Sequence, residues 1–157
     1  MQTKTVERYE TRVMGFPLII ETVKLRRFRD DWVAEVDWTE VAGVEVRALP
    51  HKPAPLTGNE IRCIRQQLDL TLKEFASLCE VSSHQAVMQW ESRGDEPAKM
   101  SRATEVLLRA RLVARISPRA TIARVLEEVS GFESGAGRDV QLWLVGDAAE
   151  GWGYAYR

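Results

Sequence analysis

Three helix-start signals follow one another between Leu56 and Met100, and a chain that opens three short helices in so few residues must fold them against one another. Thr57-Gly58-Asn59-Glu60, Thr71-Leu72-Lys73-Glu74 and Ser82-Ser83-His84-Gln85 each set a hydroxyl at a candidate N-cap. A Glu or Gln follows three residues later, so both side chains can satisfy amide hydrogens that a helix start leaves without partners. Helices are therefore predicted to begin near Gly58, Leu72 and Ser83. Ile61, Ile64, Arg65 and Leu68 share one side of the first, Leu72, Phe75, Ala76 and Cys79 one side of the second, and Ala86, Val87 and Trp90 one side of the third. The connectors Asp69-Leu70 and Glu80-Val81-Ser82 are too short to let the helices run as separate rods, which is the outline of a helix-turn-helix.

On these residues the middle third of the chain resembles the Xre family of lambda-repressor-like helix-turn-helix proteins. The resemblance lies in Leu56 to Arg62, in Thr71-Leu72-Lys73-Glu74-Phe75-Ala76 and in Ala86-Val87-Met88-Gln89-Trp90-Glu91. It implies that Ser83–Trp90 is a recognition helix with Val87 and Trp90 in the core. Two departures from the family pattern stand out: Val81 to Val87 is one residue longer than usual, and Ser92 adds one before Arg93-Gly94. The region before it, with Tyr9, Met14-Gly15-Phe16-Pro17, an apolar strand and Leu56-Thr57-Gly58, resembles the MqsA-type antitoxins. Those relatives often carry a zinc ribbon with two Cys-x-x-Cys pairs. This chain has only Cys63 and Cys79, both inside predicted helices, so no metal module is expected.

The expected fold class is α+β, with a central all-α lambda-repressor-like helix-turn-helix domain flanked by small β-containing N- and C-terminal segments. Residues 13–36 read as a hairpin: Val13 to Leu25 is rich in branched apolar residues, Asp30-Asp31 is a turn signal, and Trp32 to Val36 resumes the pattern. Arg26, Arg27 and Arg29 flank the turn, either as a solvated tip that protects a strand edge or as an auxiliary contact to DNA or an acidic partner. Asp37-Trp38-Thr39-Glu40 has the capping-box form, so a short helix is expected there, although Val44 to Arg47 alternates like a strand. The resulting division is an N-terminal region 1–50, a stiff proline linker 51–55, the helix-turn-helix domain 56–116, and a C-terminal segment 117–157 offering a possible dimer contact.

Within that scheme Ser101 to Ile116 is a longer helix whose inner side is expected to be Ala103, Val106, Leu107, Ala110, Val113 and Ala114. Arg102, Arg109, Arg111 and Arg115 form its solvated row. Thr121 to Val129 reads as another helix and Gly131 to Gly137 as a flexible stretch. Val140 to Val145 and Trp152 to Arg157 read as strands whose Trp143, Trp152, Tyr154 and Tyr156 need something to pack on. The N-terminal hairpin and a second copy of the chain are both open as that surface.

A hydrophobic content of 45 % suits an ordinary folded domain, and no apolar run reaches bilayer length, so a cytoplasmic protein without membrane contact is expected. The net charge of −1 lacks the basicity common among nucleic-acid binders, which moves the weight onto the local field at a docking face. With two histidines, no glycine-rich phosphate loop and no nucleophile elbow, no catalytic constellation is legible, and the chain is read as a non-enzyme without cofactor.

If the third helix enters a major groove, Ser83, His84, Gln85, Met88 and Gln89 are the candidate base readers. Gln85 and Gln89 lie one turn apart, and an amide matches the N6 and N7 edge of adenine, while Met88 suits a thymine methyl. Thr71, Lys73, Ser82, Arg93 and Lys99 are the candidate phosphate contacts. The function expected from this pattern is a sequence-specific regulator of double-stranded DNA, a repressor or autoregulator acting as a homodimer on half-sites about 34 Å apart. The alternative is an antitoxin-type protein whose flanks neutralise a toxin partner. In a third reading the helix pair serves protein contact alone.

Overall fold

The structure is a computed structural model that describes residues 1–133, 140–147 and 151–157. The stretch Gly131–Gly137, expected to be flexible, lies outside the described residues from 134 onward, as do 148–150 of the last connector. The chain forms two compact units, one of Met1–Glu45 with Gln141–Arg157 and one of Val46–Val140.

The first unit holds a five-stranded mixed sheet. Its strands are β1 (Thr3–Thr11), β2 (Leu18–Phe28), β3 (Asp31–Ala34), β4 (Leu142–Asp147) and β5 (Gly151–Tyr156). β2 is central, as its Leu18, Ile19, Ile20, Val23 and Leu25, all buried, require. It pairs antiparallel with β1 from Thr11↔Leu18 to Thr3↔Arg26, and antiparallel with β3 from Leu25↔Ala34 to Phe28↔Asp31. Beside Leu18–Ile20 it pairs in parallel with Leu142–Leu144 of β4, which pairs antiparallel with β5. The C-terminal strands thus add to the N-terminal ones in a single sheet. Trp143 is flanked by guanidinium groups of the same sheet, Arg8 at 5.2 Å and Arg157 at 4.8 Å from its ring centre. After β3 the chain enters α1 (Trp38–Ala48), started by Asp37, whose carboxylate accepts from the Thr39 and Glu40 amides. The alternation at Val44–Arg47 does not prevail over that cap.

The second unit is helical: a 3-10 turn at Leu49–His51, then α2 (Gly58–Gln67), α3 (Leu72–Leu78), α4 (His84–Glu91), α5 (Arg102–Ile116) and α6 (Ile122–Val129). Thr57 and Glu60 form a complete capping box at α2, and Thr71 caps α3 by accepting from Glu74 N. α2 and α3 end alike. Asp69 (φ +54) and Glu80 (φ +55) adopt the left-handed conformation just beyond each helix. Asp69 N bonds Gln66 O and Leu70 N bonds Arg65 O, while Glu80 N bonds Ser77 O and Val81 N bonds Ala76 O. These are two Schellman closures that turn the chain sharply into the next helix.

The proline segment is not an extended spacer hanging between elements. Lys52 and Ala54 are buried, and Arg109 from α5, only 1 % exposed, donates to the carbonyls of Pro50, Lys52 and Ala54. Its charge is met by Glu105 one turn earlier at 2.6 Å, and its plane lies 4.0 Å from the Phe132 ring centre. Proline removes backbone donors, so carbonyls here have few amide partners, and one guanidinium supplies several donors at once. The expectation that Arg109 belongs to a solvated row is therefore overturned. The expected inner side of α5 holds only in part: Val113 is buried with Val106 and Ala110 packed against its cluster, but Glu105, Leu108, Arg109 and Leu112 are buried as well, whereas Ala103 and Ala114 face solvent and Leu107 is half-buried.

The fold is α+β, but the expected arrangement, a central all-α helix-turn-helix domain with small β appendages, does not hold. The strands form one five-stranded sheet with its own buried residues, among them Phe16, Leu18, Ile20, Val23, Leu142 and Leu144. Nor is 56–116 a self-contained helical domain, since the strap 49–54 and helix α6 are built into its core through Leu49, Ala54, Val125 and Val129.

Candidate nucleic-acid interface

α4 is an eight-residue helix with one face fixed and one face open. Val87 is fully buried and Trp90 is 8 % exposed, while His84, Gln85, Met88 and Gln89 lie on the exposed side, Met88 at 51 %. The alternation follows the helical period: positions 87 and 90 share the side packed on α2 and α3, and 84, 85, 88 and 89 share the other.

The C-terminal end of α4 is locked to α2. Glu91 is buried, and its carboxylate accepts from Arg65 Nε at 2.6 Å and Nη2 at 3.3 Å, with Arg62 Nε 3.6 Å away. Arg65 also donates to Leu70 O at 3.1 Å, so one side chain joins the end of α4 to the closure after α2. A buried carboxylate without such partners would be strongly unfavourable, so Glu91 is a register pin. The two helices also approach closely at Gly58. A Cβ there would lie 2.9 Å from Glu91 O and 2.9 Å from Gly94 N, and closer still to Trp90 O. Only glycine lets the first turn of α2 meet the last turn of α4. Gly58 N bonds Glu96 O at 3.2 Å, Asn59 N bonds Gly94 O at 2.8 Å, and the Asn59 amide reaches Asp95 at 2.9 Å, closing the joint.

The residues expected to touch DNA fall into three groups. Gln85, Gln89, His84 and Met88 are gathered on the open side of α4, one turn deep. Ser83 is half-buried, and its hydroxyl accepts from Gln85 N at 3.1 Å; it, and not Ser82, caps α4, while Ser82 is exposed. The helix thus begins at His84, one residue after the start predicted near Ser83. Thr71 and Lys73 are exposed on the first turn of α3, with the Thr71 hydroxyl taken by its cap. Arg93 and Lys99 lie beyond the C-terminal end of α4. Arg93 is half-buried and donates to Pro97 O at 3.3 Å, and Lys99 is exposed at φ +61, next to Ala98, whose amide bonds Leu56 O.

The surrounding charge is mixed. Glu74 is exposed beside Lys73, and Asp95 and Glu96 are exposed near Arg93. Glu80 is neutralised by Arg111 at 2.9 Å. Such a surface gives little sequence-independent attraction to a polyanion. Gly58, Asn59, Arg62, Arg65 and Glu91, which hold α4 in place, were not singled out from the sequence as site residues. The legible signal was the Trp90-Glu91 pair, a carboxylate one residue past a core tryptophan and hence near the core itself.

Among the described residues no group of His, Cys, Asp or Glu is placed to hold a metal ion, and no helix is long and apolar enough to cross a membrane. Comparison with protein-family models, with curated proteins and with solved structures found nothing that matches this chain.

Proposed function

We propose that this protein binds double-stranded DNA sequence-specifically as a dimeric transcriptional regulator, with α4 as the reading element. The observation that carries the reading is the division of α4: Val87, Trp90 and Glu91 are fixed from behind, and Gln85, Gln89, Met88 and His84 project together from the other side. A rigid short helix bearing two amides one turn apart is the kind of probe that reads adenine edges in a major groove. Preorganisation matters here because the mixed surface charge supplies little affinity of its own. The resemblance of the central residues to Xre regulators supports the same reading. Regulation would be steric, by occupying a promoter.

The test is a footprint of the purified protein on the DNA upstream of its own gene. Protection of a symmetric site is expected, and Gln85→Ala should weaken it by about 1–3 kcal/mol and relax preference at one base pair. Uniform weak binding that disappears with salt would refute the proposal.

A second reading, capture of a protein partner such as a toxin, is favoured by one feature of the first unit. The β2–β3 hairpin exposes Phe28 (64 %) and Val33 (51 %) beside Arg26 and Arg29, and Arg29 turns the tip at φ +56, where glycine would be unstrained. Phe28→Ser with Val33→Ser should abolish such a complex and leave DNA binding unchanged.

A further inference from the structure

Three of the four arginines expected in solvent along α5 donate to main-chain carbonyls of another segment. Arg102 donates to Ser130 O and Phe132 O beyond α6, Arg109 to the strap, and Arg111 to Leu78 O at the end of α3. Arg111 also meets the Glu80 carboxylate at 2.9 Å, so one guanidinium holds two points of the turn between α3 and α4. The closure after α3 explains why a side chain is used there. Cys79 N, Val81 N and Glu80 N bond the carbonyls of Phe75, Ala76 and Ser77. Among the described residues no backbone amide reaches Leu78 O, the last carbonyl of the helix, and Arg111 is its donor. The same positive charge acts on the Cys79 thiol, where it opposes the upward push of burial.

This tie acts on the less buried end of the candidate site. The far end of α4 is fixed by Val87, Trp90 and Glu91, all buried. Between Cys79 and Val87 no residue is fully buried: Val81, Ser83 and Ala86 are half-buried, and Glu80, Ser82, His84 and Gln85 are exposed. His84 and Gln85 nevertheless sit in the first turn of α4, the part of a recognition helix that meets base edges. The rise from His84 to Glu91 is about 10 Å, so a pivot of about 6° at the Glu91 end moves the first turn by about 1 Å. A displacement of that size takes an amide out of hydrogen-bond range of a base edge. We infer that Arg111 is a positioning residue: by holding the carbonyl end of α3 to α5, it fixes the angle at which α4 presents His84 and Gln85. The consequence for base recognition rests on the DNA reading proposed above; the anchoring of the turn does not.

The experiment compares the full chain with its Arg111→Met variant, which keeps an unbranched apolar stem and removes the donors. Without DNA, amide hydrogen exchange at Val81 and at Gln85 to Val87 should quicken about tenfold, as loss of a charge-assisted hydrogen bond allows, with Ile61 and Ile64 of α2 unchanged. On duplex from the region upstream of its own gene, affinity should fall about tenfold. Affinity for an unrelated duplex, and the slope of its salt dependence, should stay as in wild type. Unchanged exchange at the turn would overturn the inference, and so would exchange that quickens equally in α2, the mark of a general loss of stability. Quickened exchange with the preference between the two duplexes intact overturns the positioning role. Binding that weakens equally on both duplexes with a shallower salt dependence overturns it as well, because Arg111 is then a phosphate contact. A wild type that binds no duplex specifically refutes the DNA reading alone, and the exchange data then decide by themselves whether Arg111 anchors the turn.

Discussion

Gly58 and Gly43 offer one substitution with opposite expected signs. Gly43 sits in the middle of α1, exposed, with nothing within 4 Å of where a Cβ would be. Gly43→Ala therefore removes backbone entropy from the unfolded chain at no steric cost and should stabilise by roughly 0.5–1 kcal/mol. At Gly58 the same methyl group meets backbone only: Glu91 O and Gly94 N at 2.9 Å and Trp90 O nearer still. No side chain can swing away, so either α2 or α4 must shift by several tenths of an ångström. Overpacking of this kind costs about 1–3 kcal/mol, and the shift also strains the Arg65–Glu91 pair and the Asn59 N to Gly94 O bond. After the gain in helix propensity is subtracted, a net loss of about 2 kcal/mol is expected, or roughly 4–8 °C in Tm for a chain of this size. Urea and thermal unfolding followed by circular dichroism measure both variants. A Gly58→Ala protein as stable as wild type would refute the account of how α4 is held.

The remaining predictions concern the closures and buried charges. Glu80→Gly should stabilise by about 1 kcal/mol in urea unfolding, because a non-glycine residue at φ +55 carries a left-handed penalty larger than the exposed Arg111 pair returns. Arg109→Met should cost about 3–5 kcal/mol, since it leaves Glu105 buried without its partner and three strap carbonyls without a donor. The pair is sensitive because burial already pushes the Glu105 carboxyl up, with Arg109 opposing that shift. Burial pushes the Cys79 thiol up from 9.0 to about 12, against a smaller opposing effect of Arg111. A raised folded value means that its contribution to stability is full below pH 9 and is lost as pH rises toward 12. Cys79→Ala should flatten that alkaline decline, and native Cys79 should resist a thiol reagent at pH 8 in a timed labelling assay.

The limits of the sequence are clearest in β1 and Arg109. Thr3–Thr11 was not expected to be a strand, because an edge strand whose faces are both mostly in solvent shows no apolar alternation. It exists through its pairing with β2. Arg109 looked like one of a row of solvated arginines, and nothing within α5 distinguishes it from Arg111 or Arg115. Its burial follows from carbonyls more than fifty residues away in the chain. In the candidate site, by contrast, the division of α4 into held and open sides was legible, since Val87 and Trp90 sit at helical spacing between polar residues.

What the amino-acid sequence determined by itself was local: where helices start, because a hydroxyl beside free amides acts within one turn, and which side of α4 is apolar, because the helical period is a property of the backbone. Only the tertiary structure decided that strands from both termini share one sheet, that the proline segment is a clamped strap, and that Glu105 and Arg109 of α5 are buried. Those outcomes depend on pairing and packing between residues far apart in the chain, and a one-dimensional pattern carries no distance between them.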